Sequence, residues 1–103
     1  MIRHLVALRF KPDTPQTVKE SLYRELAALD QHIDGILDFQ VRSNVSVEDA
    51  LVRGYRDLFW FDFRDTAVRD AYLADPTHQA IGRHIIALLA EGPDDIFVLD
   101  FTV

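Results

Sequence analysis

The chain has 103 residues, no cysteine, 49% hydrophobic residues and a net charge of −6, which suits one folded domain over residues 1–103. Without cysteine there are no disulfides, thiolate nucleophiles or cysteine-bound metal centres, and the acidic balance disfavours a nucleic-acid partner. No apolar run is long enough to span a bilayer and the amino terminus shows no signal-peptide pattern, so we expect a cytoplasmic protein with no membrane partner.

The first predicted element is a β-strand in "RHLVALRFK", residues 3–11. Side chains alternate between the two faces of a strand. The more apolar face carries Ile2, His4, Val6, Leu8 and Phe10. A histidine on such a face needs a polar partner, so its partner is the first question that the sequence raises.

The second element is a helix that follows the prolines of "KPDTP". Thr14 is placed to cap it and Pro15 to occupy its first position. Its predicted inward stripe consists of Val18, Leu22, Leu26 and Leu29. The segment Asp34–Gly35 ends the helix and its tail.

Two strands come next. In "ILDFQVRSNVS" the alternation predicts Leu37, Phe39 and Val41 on one face. The segment 46–54 is predicted as a loop with one helical turn. A second strand spans residues 54–63. One of its faces carries Asp57, Phe59, Phe61 and Phe63.

A pair of helices and a last strand complete the chain. The first helix is capped by Asp65 or Thr66, and Pro76 ends it and opens the next. The inward positions of the two helices are Val68, Ala71, Tyr72, His78, Ile81, Ile85 and Leu88 or Leu89. The closing strand is "IFVLDFTV", residues 96–103.

This βαββαβ order predicts an α+β, ferredoxin-like fold with an antiparallel four-stranded sheet and helices on one face. The other sheet face is also apolar, with Leu5, Leu58, Trp60, Phe97, Leu99 and Phe101. Such a face should not stay in water, so we expect a homodimer with sheet packed on sheet. The expected contacts are Leu5, Trp60, Leu99 and Phe101.

Several stretches carry a family resemblance. These are "RHLVALRFK", "RSNVS" with "RGYRDLFWFDF", "AYLADPTH" and "VLDFTV". In order and spacing, over nearly the whole chain, they resemble the stress-responsive A/B barrel domain (Dabb) family. The resemblance implies a ferredoxin-like chain that forms a dimeric α/β barrel with the helices outside.

Most members of that family have no assigned activity, but one plant member closes a linear polyketide by a cofactor-free aldol reaction. Its catalytic histidine ends a Tyr-x-x-His-Pro-x-His pattern, which the segment from Tyr72 to His78 resembles. His4 matches a pocket histidine of that enzyme. Three of its polar positions are replaced here, by Leu26, Asp57 and Asp75. The resemblance thus implies a base-like centre, no cofactor and no particular substrate.

The residues themselves predict the same centre, formed by His4, Asp57, Tyr72 and His78. Because the first and third strands are neighbours in this fold, we expect His4 and Asp57 to be buried and hydrogen-bonded, which would fix the imidazole tautomer. The helix start favours the neutral form of His78. Neutral imidazole can remove a proton beside a carbonyl group while the Tyr72 hydroxyl holds the enolate oxygen.

Each of these residues also has a structural interpretation. His4 with Asp57 is equally a satisfied polar pair in a small core, and Tyr72 and His78 are equally packing residues. The set of His4, His78 and Asp57 resembles a two-histidine, one-carboxylate metal site, but no local spacing supports it and we expect no metal.

We expect an apolar pocket between the helices and the sheet beside this centre. Its predicted lining is Val6, Leu8, Leu22, Leu26, Phe59, Phe61, Ile81, Gly82, Ile96 and Val98. Two functions stay open: a cofactor-free enzyme or binder of an apolar carbonyl compound, and a non-catalytic, stress-related homodimer with a structural or assembly role. They differ in whether the four polar side chains surround an empty space or a filled core.

Overall fold

The computed structural model describes residues Met1–Val103 and has the predicted order of elements. None of its helices has the length and apolarity that crossing a membrane requires. In chain order the elements are β1 (Ile2–Leu8), α1 (Gln16–Ala27), a 3-10 turn (Ala28–Gln31), β2 (Ile36–Ser43), α2 (Asp49–Val52), β3 (Asp57–Phe63), α3 (Thr66–Ala74), α4 (Pro76–Ala87), a second 3-10 turn (Gly92–Asp95) and β4 (Ile96–Thr102).

The four strands form one antiparallel sheet in the order β2-β3-β1-β4. Strand β1 is therefore paired on both sides. Its His4 lies opposite Phe61 of β3 and opposite Asp100 of β4. This row of three residues crosses the middle of the sheet, and it fixes what the histidine can touch.

The core lies between the helices and one face of the sheet, and aromatic side chains dominate it. Phe59, Phe61 and Phe63 of β3 are buried, as the alternation predicts. Phe61 and Phe63 stack with their ring centroids 5.5 Å apart, and Tyr72 of α3 packs on both of them at 4.8 and 5.1 Å. Burial of each such ring contributes about 1.5–3 kcal/mol, so this cluster holds α3 on the sheet.

Side-chain caps begin the last two helices. Asp65 accepts a hydrogen bond from the backbone N–H of Val68 at 3.0 Å, and Asp75 accepts one from that of His78 at 2.9 Å. The predicted Thr14 cap of α1 is wrong. Thr14 belongs to the turn before the helix, where its N–H bonds the Lys11 carbonyl at 2.9 Å, and no side chain caps α1.

Three local predictions are also wrong. Strand β2 shifts register between Ile36 and Asp38, and this irregularity turns Leu37 to solvent while Phe39 stays against the core. Ala71 is exposed because it lies at the edge of the stripe that buries the α3 side chains. Strand β3 begins at Asp57 rather than at residue 54.

The sheet face away from the helices carries a second apolar surface, as predicted. On β4, Phe97, Leu99 and Phe101 are 51%, 46% and 44% exposed. On β3, Trp60 lies between two guanidinium groups, those of Arg3 at 5.2 Å and Arg42 at 5.3 Å from its ring centroid. Nothing in the single chain covers the β4 side of this face.

We expect Gly35→Ala to destabilise the fold more than Gly92→Ala does. Both glycines have positive φ, +97° and +68°, which costs an L residue about 1–2 kcal/mol. A Cβ at Gly35 would also overlap the Val68 side chain, adding about 1–3 kcal/mol, whereas one at Gly92 meets nothing within 4 Å. Urea denaturation measures both losses, and equal losses would contradict the steric argument.

Candidate active site

His4 is buried on β1 and has a carboxylate partner. Its Nδ1 lies 2.6 Å from Oδ1 of Asp100 on β4. Because an ionised carboxylate can only accept, Nδ1 carries the proton and donates it. In the neutral ring this leaves Nε2 as the basic nitrogen, and the pair fixes the orientation of the imidazole.

Asp100 is itself held from the other side. Its second oxygen, Oδ2, accepts a hydrogen bond from Nη1 of Arg69 on α3 at 3.2 Å. The guanidinium, the carboxylate and the imidazole therefore form one chain that ties α3, β4 and β1 together. Charge-assisted hydrogen bonds of this kind are stronger than neutral ones, so the orientation of His4 is well defined.

The predicted hydrogen bond between His4 and Asp57 is wrong. In the register of β1 with β3, Asp57 lies opposite Leu8, whereas Phe61 lies opposite His4. Four residues separate these positions, which is about 13 Å along a strand. The carboxylate of Asp57 instead accepts from Nζ of Lys19 at 3.0 Å.

Tyr72 joins the two histidines of the site. Its ring centroid lies 5.5 Å from that of His4, edge to face, and 3.8 Å from that of His78. The side chain is buried, and burial, followed by the charge of Asp100, raises the pKa of Tyr72 well above its usual value near 10. The hydroxyl is therefore protonated at neutral pH and is available as a hydrogen-bond donor.

His78 lies in the first turn of α4 and is partly buried beside Tyr72. Its Nδ1 is buried and has no hydrogen-bond partner. Burial lowers the pKa of His78 below its usual 6.5, since it disfavours the charged ring, and a positive charge on His4, when that ring is protonated, lowers it further. The backbone carbonyl of Tyr72 and the Asp75 carboxylate act in the opposite direction with smaller effects. The imidazole is thus neutral at physiological pH, which is the basic form.

Asp75 anchors the helix turn that carries His78. One carboxylate oxygen caps α4 through the His78 backbone N–H, and the other lies 2.9 Å from Nε2 of His32. The cap hydrogen bond is the main cause of a lowered Asp75 pKa. This residue is therefore committed to holding the backbone of the site rather than to contacting a ligand.

The predicted pocket lining is for the most part packed core. Gly82 and Val98 differ: nothing lies within 4 Å of a Cβ built at Gly82, and Val98 is 49% exposed on β4. Ile96 is partly buried against the core. Seven of the ten predicted lining residues are buried in the core between the helices and the sheet, and their role as a pocket lining stays a prediction: Val6, Leu8, Leu22, Leu26, Phe59, Phe61 and Ile81.

A pocket also lies on the opposite face of the sheet. It has a volume of about 680 Å³ and a floor that includes Leu5, Leu58 and Leu99.

His, Asp and Glu side chains nowhere form a group of three that could hold a metal ion, so the combination of His4, His78 and Asp57 is not assembled.

Sequence reasoning missed Asp100 and Arg69. The signal for Asp100 is present in "IFVLDFTV", where alternation places it with Ile96 and Val98 on the helix side of β4. In a βαββαβ sheet the first strand has two neighbours, and either can supply a partner for His4. Arg69 carries no such signal, because its contact depends on how α3 lies over β4.

The family model of the stress responsive A/B barrel domain matches residues 2–103. The chain belongs to this family. No functionally curated protein matches it. The assignment agrees with the sheet order and with the helices on one face, and it confirms the ferredoxin-like α+β fold predicted from the order of elements.

Solved structures of similar proteins support the assignment. A dimeric ferredoxin-like protein of unknown function from Jannaschia sp. CCS1 is 30% identical, with a TM-score of 0.78 over 99% of this chain and 98% of its own. A protein of Arabidopsis thaliana gives 24% identity and a TM-score of 0.86 over 100% of this chain and 95% of its own. A hydroxynitrile lyase from Passiflora edulis gives 14% identity and a TM-score of 0.80 over 99% of this chain and 92% of its own.

The lowered pKa of His78 makes the stability of this A/B barrel domain pH-dependent. As the pH falls below about 6.5, the unfolded chain binds a proton at this histidine before the folded chain does. The free energy of unfolding should therefore fall with pH from about 6.5 down to the pKa of the folded state. His78→Gln should remove this part of the dependence.

Urea denaturation between pH 7.5 and 5 measures that effect. His84→Gln is the matched control, since it removes an exposed imidazole from the same helix. A ring titration of His78 by NMR with a midpoint at or above 6.5 would show that burial does not act as argued.

Proposed function

We propose that this A/B barrel domain protein binds an apolar carbonyl compound and moves a proton beside its carbonyl group without a cofactor. The observation that carries the proposal is the neutral, partly buried imidazole of His78, whose ring centroid lies 3.8 Å from that of Tyr72.

His78 is the base in this scheme. Its low pKa keeps a lone pair available at neutral pH, and a proton removed from the carbon next to a carbonyl leaves an enolate. Tyr72 supplies a protonated hydroxyl next to the base, which stabilises the negative charge that develops on the enolate oxygen. The two roles need adjacent groups, and the two rings are in contact.

His4 acts as the second polar group, and its Nε2 is the atom left free by the bond to Asp100. A nitrogen held in one orientation can accept a hydrogen bond from the substrate or from the Tyr72 hydroxyl at no further ordering cost. Arg69 is a positioning residue for this pair, because it contacts the Asp100 carboxylate and, through Nε, Asp70, but makes no hydrogen bond to the imidazole. Asp57 has no part in this scheme.

We infer that a ligand reaches the site over the β4 side of the sheet. His78 is partly exposed, the position one turn later is Gly82 with open space around it, and Val98 is half exposed on the helix side of β4. These surfaces are apolar, which fits an apolar substrate. A hydroxynitrile lyase shares this fold. The likeness concerns the fold alone and assigns no role to any residue of this chain.

Proton transfer can be tested with 2-heptanone in D₂O. We expect the wild-type protein to speed deuterium incorporation next to the carbonyl, followed by NMR, because His78 is a base placed beside a donor. His78→Ala should slow the catalysed exchange by about 10²–10⁴-fold.

The proposal also includes a cytoplasmic location, which a cysteine-free chain suits.

The control for this experiment is His84→Ala, which removes an exposed histidine of the same helix. Thermal melts of all three proteins separate chemistry from packing. A clear drop in melting temperature for His78→Ala, with no exchange above the buffer rate in the wild type, would contradict the catalytic proposal and favour the structural alternative.

The alternative is a non-catalytic homodimer with a structural or assembly role in stress. It is favoured by the close packing of His4 and Tyr72, which are 5% and 1% exposed. Both proposed functions involve a homodimer, because similar proteins with this fold are dimeric and the sheet face away from the helices is apolar in this chain. We infer that Leu5, Trp60, Leu99 and Phe101 form the contact between the two copies.

Trp60→Glu should convert the dimer to a monomer or to aggregate. The carboxylate would lie in the middle of the sheet face, where a second copy leaves it no water. Sedimentation equilibrium measures the mass. Leu73→Glu is the control, since it places the same charge on an exposed apolar position of α3. A folded wild-type monomer would contradict the dimer.

A further inference from the structure

Asp75 contacts the backbone of both Tyr72 and His78. Its N–H donates to the Tyr72 carbonyl at 3.2 Å, where α3 ends. Its carboxylate oxygen Oδ2 accepts from the His78 N–H at 2.9 Å, where α4 begins. The relative position of the two rings of the candidate site therefore depends on how this one side chain is held between the two helices.

The other carboxylate oxygen of Asp75 has a partner of its own. Oδ1 lies 2.9 Å from Nε2 of His32. The bond from the His78 N–H is the main cause that lowers the pKa of Asp75, and the bond to His32 acts in the same direction. The carboxylate is therefore ionised at neutral pH and can only accept, so Nε2 of His32 carries the proton and donates it.

His32 belongs to a third element, the turn that follows α1, and its backbone is fixed on the core. The N–H groups of His32 and Ile33 both bond the Leu29 carbonyl, at 3.2 and 3.0 Å. Leu29 and Ile33 are buried. The imidazole thus approaches Asp75 from a backbone that the core holds in place, although the ring itself is 46% exposed.

His32 and Asp75 line an open cleft between this turn and α3, and the other charged residues of the cleft are Asp34 and Arg64. The Arg64 guanidinium lies 3.5 Å from the carboxylates of both Asp34 and Asp65. It makes no hydrogen bond to Asp75. His32 is therefore the side chain that holds the second oxygen of the Asp75 carboxylate.

We propose that His32 is a positioning residue for His78 and acts through Asp75. A carboxylate with one partner can turn about its side-chain bonds, whereas two donors from different elements hold its plane. The fixed carboxylate keeps α4 capped, and the capped helix keeps the His78 ring against that of Tyr72. The catalytic consequence rests on the proposed function, but the effect on the geometry of His78 does not.

His32→Leu and His32→Gln separate the hydrogen bond from the volume of the side chain, since leucine has no donor and the glutamine amide has one. In ¹⁵N-labelled full-length protein at pH 7, His32→Leu should shift the His78 backbone amide. It should also speed the exchange of that amide with water by about 2- to 5-fold, the range of a half-exposed ion pair. His32→Gln should recover most of both changes.

The Val68 amide is the internal control, because the Asp65 carboxylate caps α3 in the same way without a histidine partner. It should not respond to either substitution. His84→Leu, which removes an exposed imidazole from α4, should leave the His78 amide unchanged.

The exchange of 2-heptanone in D₂O measures the catalytic consequence. His32→Leu should lower kcat by about 3- to 10-fold with little change in KM, because the base is present but less well placed. His32→Gln should recover most of this loss. The effect stays below that of removing His78, since Asp75 still caps the helix.

The proposal is overturned if His32→Leu leaves the His78 amide unchanged, if His32→Gln acts as strongly as His32→Leu, or if the Val68 amide changes equally. An active wild type whose kcat is the same in His32→Leu also overturns it. A wild type without exchange activity, whose His78 amide still responds as expected, would contradict the proposed function and support the positioning of His78 by His32.

Discussion

Strand β1 lies between β3 and β4, and its register with each of them determines the chemistry of the molecule. It places His4 beside Phe61 on one side and Asp100 on the other. Side chains in a sheet have a period of two, so a slip of one residue would turn the buried histidine onto the opposite face and leave the carboxylate without it. The polar pair and the apolar core are therefore specified by the same backbone hydrogen bonds.

Tyr72 extends this arrangement from the sheet to the helices. It packs on Phe61 and Phe63 and at the same time contacts the tilted ring of His78 at the start of α4. The break between α3 and α4 at Asp75 and Pro76 is what brings His78 back over Tyr72, because the Asp75 carboxylate caps the new helix. The distance between the two rings is thus set by a cap, a proline and an aromatic cluster, none of which needs a ligand to form.

Local patterns in the sequence were sufficient for the order of elements, the row of phenylalanines on β3 and the meeting of His4, Tyr72 and His78. What failed depends on register or on packing between elements. Asp57 shares a face with His4 but lies opposite Leu8, and only the offset between two strands determines that. The irregularity that exposes Leu37 leaves no signature in the alternation of β2, since the pattern there reads as unbroken.

The position of Asp100 has a consequence for how such a site can change over evolution. His4 belongs to a central strand and is surrounded by core, whereas Asp100 lies on β4, an edge strand whose side chains are largely exposed in the single chain. Exchanging an edge residue disturbs little packing, while exchanging His4 would open a hole beside Phe63 and Tyr72. Exchange of Asp100 can therefore change the orientation of the imidazole through its neighbour while the core packing around His4 stays in place.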